Sequence, residues 1–347
     1  MFEDRVFPGV LEEVVLLLAE GSGGAESFDV HQTRDTSSLS SVDVADWTSH
    51  APRGDEKWTP ALVGTAAIEA YRQIVDERFE PLGKWGSVYL GAVTGNNGFF
   101  SLTVPEAKAR GLSDDDVIHI SPPGTRHLHG LTFTKSAWTQ LSNTGARCLL
   151  LYPKGTPSDA AQRYISEAED AGVSKAYKCR MRKPWWRVPL VSTPDLFLTY
   201  MNHDRPRLIS NAGCVQILNS IYGITLARDR KQLGCEGLPL ASLNSVTLLG
   251  SEIVGRAYGG GLLKMEPREA DTLPVPSLAR IKFAEDELKA LKRQVARALQ
   301  NGNLADAVEA VDEVLLRGVK ASEMKALRLA REMLFQRRRS RNRSAKR

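Results

Sequence analysis

Cysteine is scarce in this chain and is never clustered. Cys148, Cys179, Cys214 and Cys235 stand far apart in 347 residues, and no Cys-x-x-Cys pair occurs. That argues against a zinc ribbon and a disulfide scaffold and fits a reducing compartment. Long apolar runs are missing as well. The run Val-Val-Leu-Leu-Leu-Ala at residues 14–19 falls far short of the roughly 20 residues that cross a bilayer. No secretory leader pattern is present, so a soluble, cytoplasmic protein with no membrane partner is expected. Gly259, Gly260 and Gly261 lack the spacing of a Rossmann or Walker loop. His119, His127 and His129 have neither a nearby cysteine nor a suitably spaced carboxylate, so no metal site is expected. No Ser-His-Asp order stands out, and Pro194-Asp195 runs on into hydrophobic residues instead of a nuclease Glu-x-Lys. An independent hydrolase is therefore disfavoured.

Charge is unevenly spread. The net charge is +5, but residues 337–347 hold seven cations and no acid, which leaves −2 on the rest. Any basic face in the body must be local. The best candidate is residues 177–187, Tyr-Lys-Cys-Arg-Met-Arg-Lys-Pro-Trp-Trp-Arg, with five cations and three aromatic rings in eleven positions. Cations hold phosphates, Arg forks read guanine edges and flat rings stack on bases. The candidate contacts here are Lys178, Arg180, Arg182, Lys183, Trp185, Trp186 and Arg187. The alternative is a surface cluster in which Lys and Arg stems pack over the indoles.

A second dense cluster, residues 84–100, carries Thr94-Gly95-Asn96-Asn97-Gly98-Phe99-Phe100. Glycine and asparagine permit positive φ and close backbone approach. Thr94, Asn96 and Asn97 are candidates to meet a duplex, and an Asn-Gly hairpin turn is the plain alternative. Arg126, beside the histidines, suits a DNA-facing loop, and Lys264, after the triple glycine, could touch phosphate. Ser121-Pro122-Pro123-Gly124 lacks the aromatic ring of an amino-methyltransferase motif and reads as a Pro-rich loop. The basic tail is expected to be a disordered phosphate-binding arm.

The organisation follows from composition. Residues 14–19 suit a strand buried on both faces, with a Pro8-Gly9 turn before it and residues 27–31 as hairpin partner. Two strands make no stable unit, so this piece needs a sheet to join. Residues 32–57 read as a linker, 65–79 as a helix, and 87–90 and 99–103 as strands around the Asn-Gly turn. Residues 148–152 read as a buried strand and 158–171 as a helix ended by Gly172. Residues 240–254 mix helical and strand signals. Pro274-Val275-Pro276 marks a boundary, followed by amphipathic helices over 281–299 and 304–315 and a third over 323–335.

In this order the clusters resemble the C-terminal part of gamma-class N6-adenine DNA methyltransferases of restriction–modification and phage-defence systems. The matching residues are Val93 to Phe100, Tyr177 to Arg180 with Pro184-Trp185-Trp186, Pro206-Arg207-Leu208, Leu218-Asn219-Ser220, and Gly259 to Pro267. The likeness runs from about residue 80 to residue 276, the family's target recognition region. The stretch at residues 6–19 looks like the last strands of the family's catalytic sheet. The resemblance implies an α+β fold: terminal strands of a methyltransferase-type sheet plus linker (1–45), a mixed-sheet recognition domain (46–276), a helical segment (277–336) and the basic tail (337–347). The family's cofactor loop and Asn-Pro-Pro-Tyr motif do not occur in the chain, so no catalytic residue carries over. S-adenosylmethionine is expected on a catalytic partner chain, and double-stranded DNA is the other expected partner. A split subunit and a fragment of a longer enzyme both fit. The competing class is a protein-interaction or regulatory subunit of such a system.

Overall fold

The computed structural model describes residues 1–3, 6–7, 10 and 14–343. The expected Pro8-Gly9 turn lies outside the described residues, as does the end of the tail. The fold is α+β, with small antiparallel sheets and a large helical layer.

A four-stranded antiparallel sheet stands at the centre, in the order Leu208–Ser210, Leu196–Leu198, Tyr222–Leu226, Gly86–Leu90. Successive side chains on a strand point to opposite faces. Leu196 and Leu198 therefore enter one core, and Phe197 enters another beside Leu128, Phe133, Ile209 and Ile217. All three are fully buried, which is why this stretch carries no polar residue.

The larger core is mostly helical. Thr65–Arg78 forms the expected helix and buries Ala67, Ile68, Tyr71 and Ile74. The mixed signal over 240–254 resolves into two helices, Lys231–Ala241 and Ser245–Val254. Asn244 divides them, its side chain accepting from the Thr247 amide at the start of the second. Pro274–Pro276 is a short strand paired with Phe79–Pro81, a two-stranded setting that tolerates proline. Beyond it Leu278–Phe283, Glu285–Gln300, Leu304–Leu315 and Ala321–Arg343 are helical. Ile281, Leu288, Val295, Val311, Leu315 and Leu327 join the same core as Tyr71 and Leu249.

A third core, smaller than the helical one, fills the space beneath a three-stranded antiparallel sheet, in the order Ser101–Leu102, Leu149–Leu151, Val117–His119. The helix Asp159–Asp170 covers it. Ala161, Tyr164, Ile165 and Ala168 recur at helical spacing and are buried, and Ser158 caps the first turn by accepting from the Ala161 amide. Phe99, Phe100, Cys179, Val188 and Leu218 complete this core.

Three expectations are corrected. Residues 14–19 form no strand. Val15, Leu16, Leu17 and Leu18 are exposed, Leu18 at 84%. The expected hairpin partner, Phe28–Val30, pairs instead with Thr48–His50, because that segment supplies a hydrogen-bonding edge within reach. Residues 32–57 are likewise more than a linker. They hold two short 3-10 turns, and Arg72 and Asp76 of the helix Thr65–Arg78 pair with Glu56 and Arg53. Finally, the start of the basic tail is folded. The last helix runs to Arg343, and Arg338 is only 3% exposed. Its guanidinium grips the buried Glu252 carboxylate through two bonds of 2.7 and 3.0 Å and donates to the carbonyls of Gly261 and His203. A guanidinium loses its water only where such partners replace it.

Candidate nucleic-acid interface

The two clusters singled out in the sequence meet in space. The strand expected over 99–103 begins instead as a helical turn, Asn97–Phe100, and only Ser101–Leu102 is strand. Asn96 caps it, its side-chain oxygen accepting from the Phe99 amide at 3.1 Å. The Thr94 hydroxyl donates to the Asn97 side-chain oxygen. Phe99 and Phe100 are both buried in the smaller core.

Against this turn sits a second short helix, Tyr177–Arg180. Cys179 points inward, fully buried, with its sulfur 3.7 Å from the Thr94 carbonyl. Burial pushes its thiol up from the ordinary range. Arg182, one turn on, donates to the carbonyls of Thr94 (2.8 Å) and Val93. Gly95 lies between the two segments at φ +87°, where a side chain would stand 2.9 Å from the Lys178 Cβ. Backbone conformation and space both call for glycine there. The loop and the helix are thus bolted together.

This arrangement sorts the candidate residues. Thr94 is buried and fully used in the bolt, so it presents nothing to a duplex, which corrects the reading of its hydroxyl as exposed. Asn96 and Asn97 are half-buried and spend their side-chain oxygens on the turn. Arg182 serves the two carbonyls instead of facing outward. Trp185 donates its indole N–H to Glu169 and rests its ring 5.6 Å from Phe99 and 6.2 Å from Phe100. Trp186 also packs on the smaller core, with the Arg187 guanidinium 4.9 Å from its ring centre. For Arg187 the cation-over-ring alternative is what the fold contains, and its guanidinium also donates to Gly155.

Lys178, Arg180 and Lys183 remain, all exposed. None pairs with a carboxylate among the described residues. Arg126 is also exposed on its own loop without an ion pair among the described residues. Lys264 lies on the strand Leu262–Lys264, half-buried and paired with Glu266 at 2.7 Å. Sequence reading passed over what stands beside the three cations. Tyr177 and Met181 are exposed at 61% and 68%, while the two indoles are half-buried. The signal was available: four residues apart, Tyr177 and Met181 share a helical face, and the buried Cys179 fixes the opposite one.

His127 takes up an internal role. Its ring nitrogen is 2.7 Å from the buried Ser121 hydroxyl, and burial, helped by nearby His129, depresses its pKa to about 4. It is neutral at pH 7, so it adds no positive charge to the neighbouring Arg126.

The model of the family described as type II methyltransferase M.Eco57I, C-terminal domain, matches residues 55–316, most of the chain. The chain belongs to this family. The match to the M.Eco57I C-terminal domain runs through all three cores and into the C-terminal helices, and it makes the chain a restriction–modification methyltransferase-related domain. A curated relative, type II methyltransferase M.XamI of Xanthomonas campestris pv. amaranthicola, is 31% identical over 118 residues, 34% of this chain and 22% of that protein. Among solved structures, the type IIG restriction endonuclease BpuSI aligns over 84% of this chain and 36% of its own, at 13% identity and a TM-score of 0.48. The type IIL restriction-modification enzyme MmeI, in complex with DNA, aligns over 75% and 36%, at 15% identity and a TM-score of 0.42. The chain thus spans only a minor share of each of these proteins.

Proposed function

We propose that this chain is the DNA-recognition part of an adenine-N6 DNA methyltransferase and works with a separate chain that carries S-adenosylmethionine and the catalytic groups. The observation that carries the reading is the bolted pair of segments, Thr94–Gly95 against Cys179 and Arg182, which holds Lys178, Arg180 and Lys183 in solvent with no ion pair among the described residues. Cations kept unpaired on a rigid support are suited to phosphate oxygens, since no internal ion pair has to break first. Arg126 adds a further contact on its own loop. Asn96 and Asn97 keep their amide donors for base edges. Arg187, Trp185 and Trp186 back the platform from behind, and Lys264 reaches the duplex only by releasing Glu266.

A specific observation supports the partner. Val15 to Leu18, with Trp47 and Trp58, line an apolar cleft of about 250 Å³ near the N-terminus. All six are exposed. Contiguous apolar surface of this kind marks an interaction site. We assign it to the catalytic chain, since the family to which this chain belongs is by description one domain of a methyltransferase.

Two measurements test the reading. Fluorescence anisotropy with a labelled mixed-sequence duplex at 50 and 200 mM salt should give an affinity that falls steeply with salt. In a Lys178→Ala/Arg180→Ala/Lys183→Ala variant the slope should flatten by about two to three. An unchanged slope would remove these cations from the interface. Co-purification with a methyltransferase chain that carries the cofactor loop should be lost in Leu17→Ser/Leu18→Ser. Capture that is indifferent to that change would move the contact elsewhere.

A further inference from the structure

We propose that Tyr177 and Met181 are the wedge by which this domain distorts duplex DNA, entering a base step from the groove while Lys178, Arg180 and Lys183 hold the phosphates on either side. The proposal rests on the DNA-recognition reading above and deepens it.

The short helix Tyr177–Arg180 and the turn after it have two faces. Cys179 and Arg182 point into the bolt with Val93 and Thr94. Tyr177 and Met181 are exposed at 61% and 68%, and Lys178, Arg180 and Lys183 are exposed with them. A large ring and a flexible thioether on a helical turn are costly to leave in water. Each would give up its apolar surface to a partner at roughly 25 cal/mol per Å². A protein partner would favour apolar surface with a polar rim. Here the charged residues of the segment that stay exposed, Lys178, Arg180 and Lys183, are all cations, and the Lys178 ammonium and Arg180 guanidinium stand 5.5 and 5.6 Å from the centre of the Tyr177 ring. An apolar tip ringed by positive charge matches a polyanion with stacked apolar faces inside it, which is what a duplex offers. Methionine and other apolar side chains open base steps in this way, and aromatic rings stack on the exposed base. The bolt supplies the stiffness. An insertion must work against base stacking, and a loop free to recoil could not hold a step open. Cys179 and Arg182 tie this turn to the smaller core through Thr94, which lies directly ahead of the turn carrying buried Phe99 and Phe100.

The indoles that the sequence places at this task face the other way. Trp185 is held by Glu169 and Phe99, so it could reach a base only by leaving its seat.

The test uses the full chain. A duplex site is first enriched from a randomised duplex pool, and 2-aminopurine then replaces each adenine of that site in turn. Wild type should raise the fluorescence severalfold at one step. Tyr177→Ala and Met181→Ala should each lose most of that rise and about tenfold in affinity for the enriched site. Their affinity for an unselected duplex should change less than about threefold, and Tyr177→Phe should keep the rise. Both residues are exposed, so equal melting temperatures will confirm that the variants fold. If both alanine variants keep the rise and the affinity, the wedge is disproved and DNA recognition by the cations stands. The same holds if duplex is bound but no sequence is enriched. If wild type binds no duplex even at low salt, the recognition reading fails and takes the wedge with it.

Discussion

Two stretches of this chain are rich in cations, and the fold treats them in opposite ways. In the segment around Tyr177–Arg180, three of five cations stand in solvent with no ion pair among the described residues. At the start of the basic tail, Arg338 is sealed inside, paired with Glu252 and bonded to two carbonyls. Composition does not separate the two. The separation comes from what lies opposite each charge once the chain has folded. A buried carboxylate draws Arg338 in, and no carboxylate among the described residues pairs with Lys178, Arg180 or Lys183.

The largest expected effect belongs to the buried pair. Arg338→Leu leaves Glu252 without its counter-charge and should cost about 3–5 kcal/mol by urea unfolding. The double variant Glu252→Leu/Arg338→Leu should recover most of that loss, since no charge is then stranded. A double variant as unstable as the single would show that packing, not charge, holds the helix down. Arg182 should behave between the extremes. Its guanidinium joins two segments through hydrogen bonds, so Arg182→Ala should cost about 1.5–3 kcal/mol and weaken duplex binding by loosening the platform. If binding falls with stability untouched, Arg182 itself touches DNA.

His127 sharpens the contrast from the uncharged side. It is largely buried, with no carboxylate bonded to it among the described residues, and keeps its place by giving up its proton. Its pKa is lowered on folding, so between the ordinary value near 6.5 and about 4 the unfolded chain binds the extra proton. The stabilisation is whole above about pH 6.5 and is lost as pH falls toward 4. Between neutral pH and pH 4 the stability gap between wild type and His127→Gln should move by up to about 3 kcal/mol against the wild type, read from thermal melts. A constant gap would place the effect in the Ser121 hydrogen bond alone. The smallest effect is expected at the free cations, where Lys178→Ala or Lys183→Ala should move stability by less than about 0.5 kcal/mol.

Much of the fold could be read from the chain. Helices at 65–78, 159–170, 285–300 and 304–315 announce themselves by apolar spacing and by caps such as Ser158. The strand Leu149–Leu151 reads as buried because it carries no polar residue. Phe99 and Phe100 misled because aromatic pairs favour strands, whereas here the Asn96 cap starts a helical turn first. The N-terminal leucines misled because a solid apolar run signals burial without saying against what. No strand among the described residues pairs with them, and they stay in water beside their cleft. The family likeness named the two clusters without saying that they meet in space. Which of their side chains face out could not be foreseen, because that depends on where Cys179 seats.

The grip of Arg338 on Gly261 and Glu252 carries a practical warning. Anyone trimming the protein at residue 336, taking the arginine-rich end for a dispensable appendage, would strand an acid in a dry interior and unpin Gly261 of the triple glycine some 77 positions earlier. A shortened version that precipitates would then say little about solubility in general. It would record the removal of one fastening.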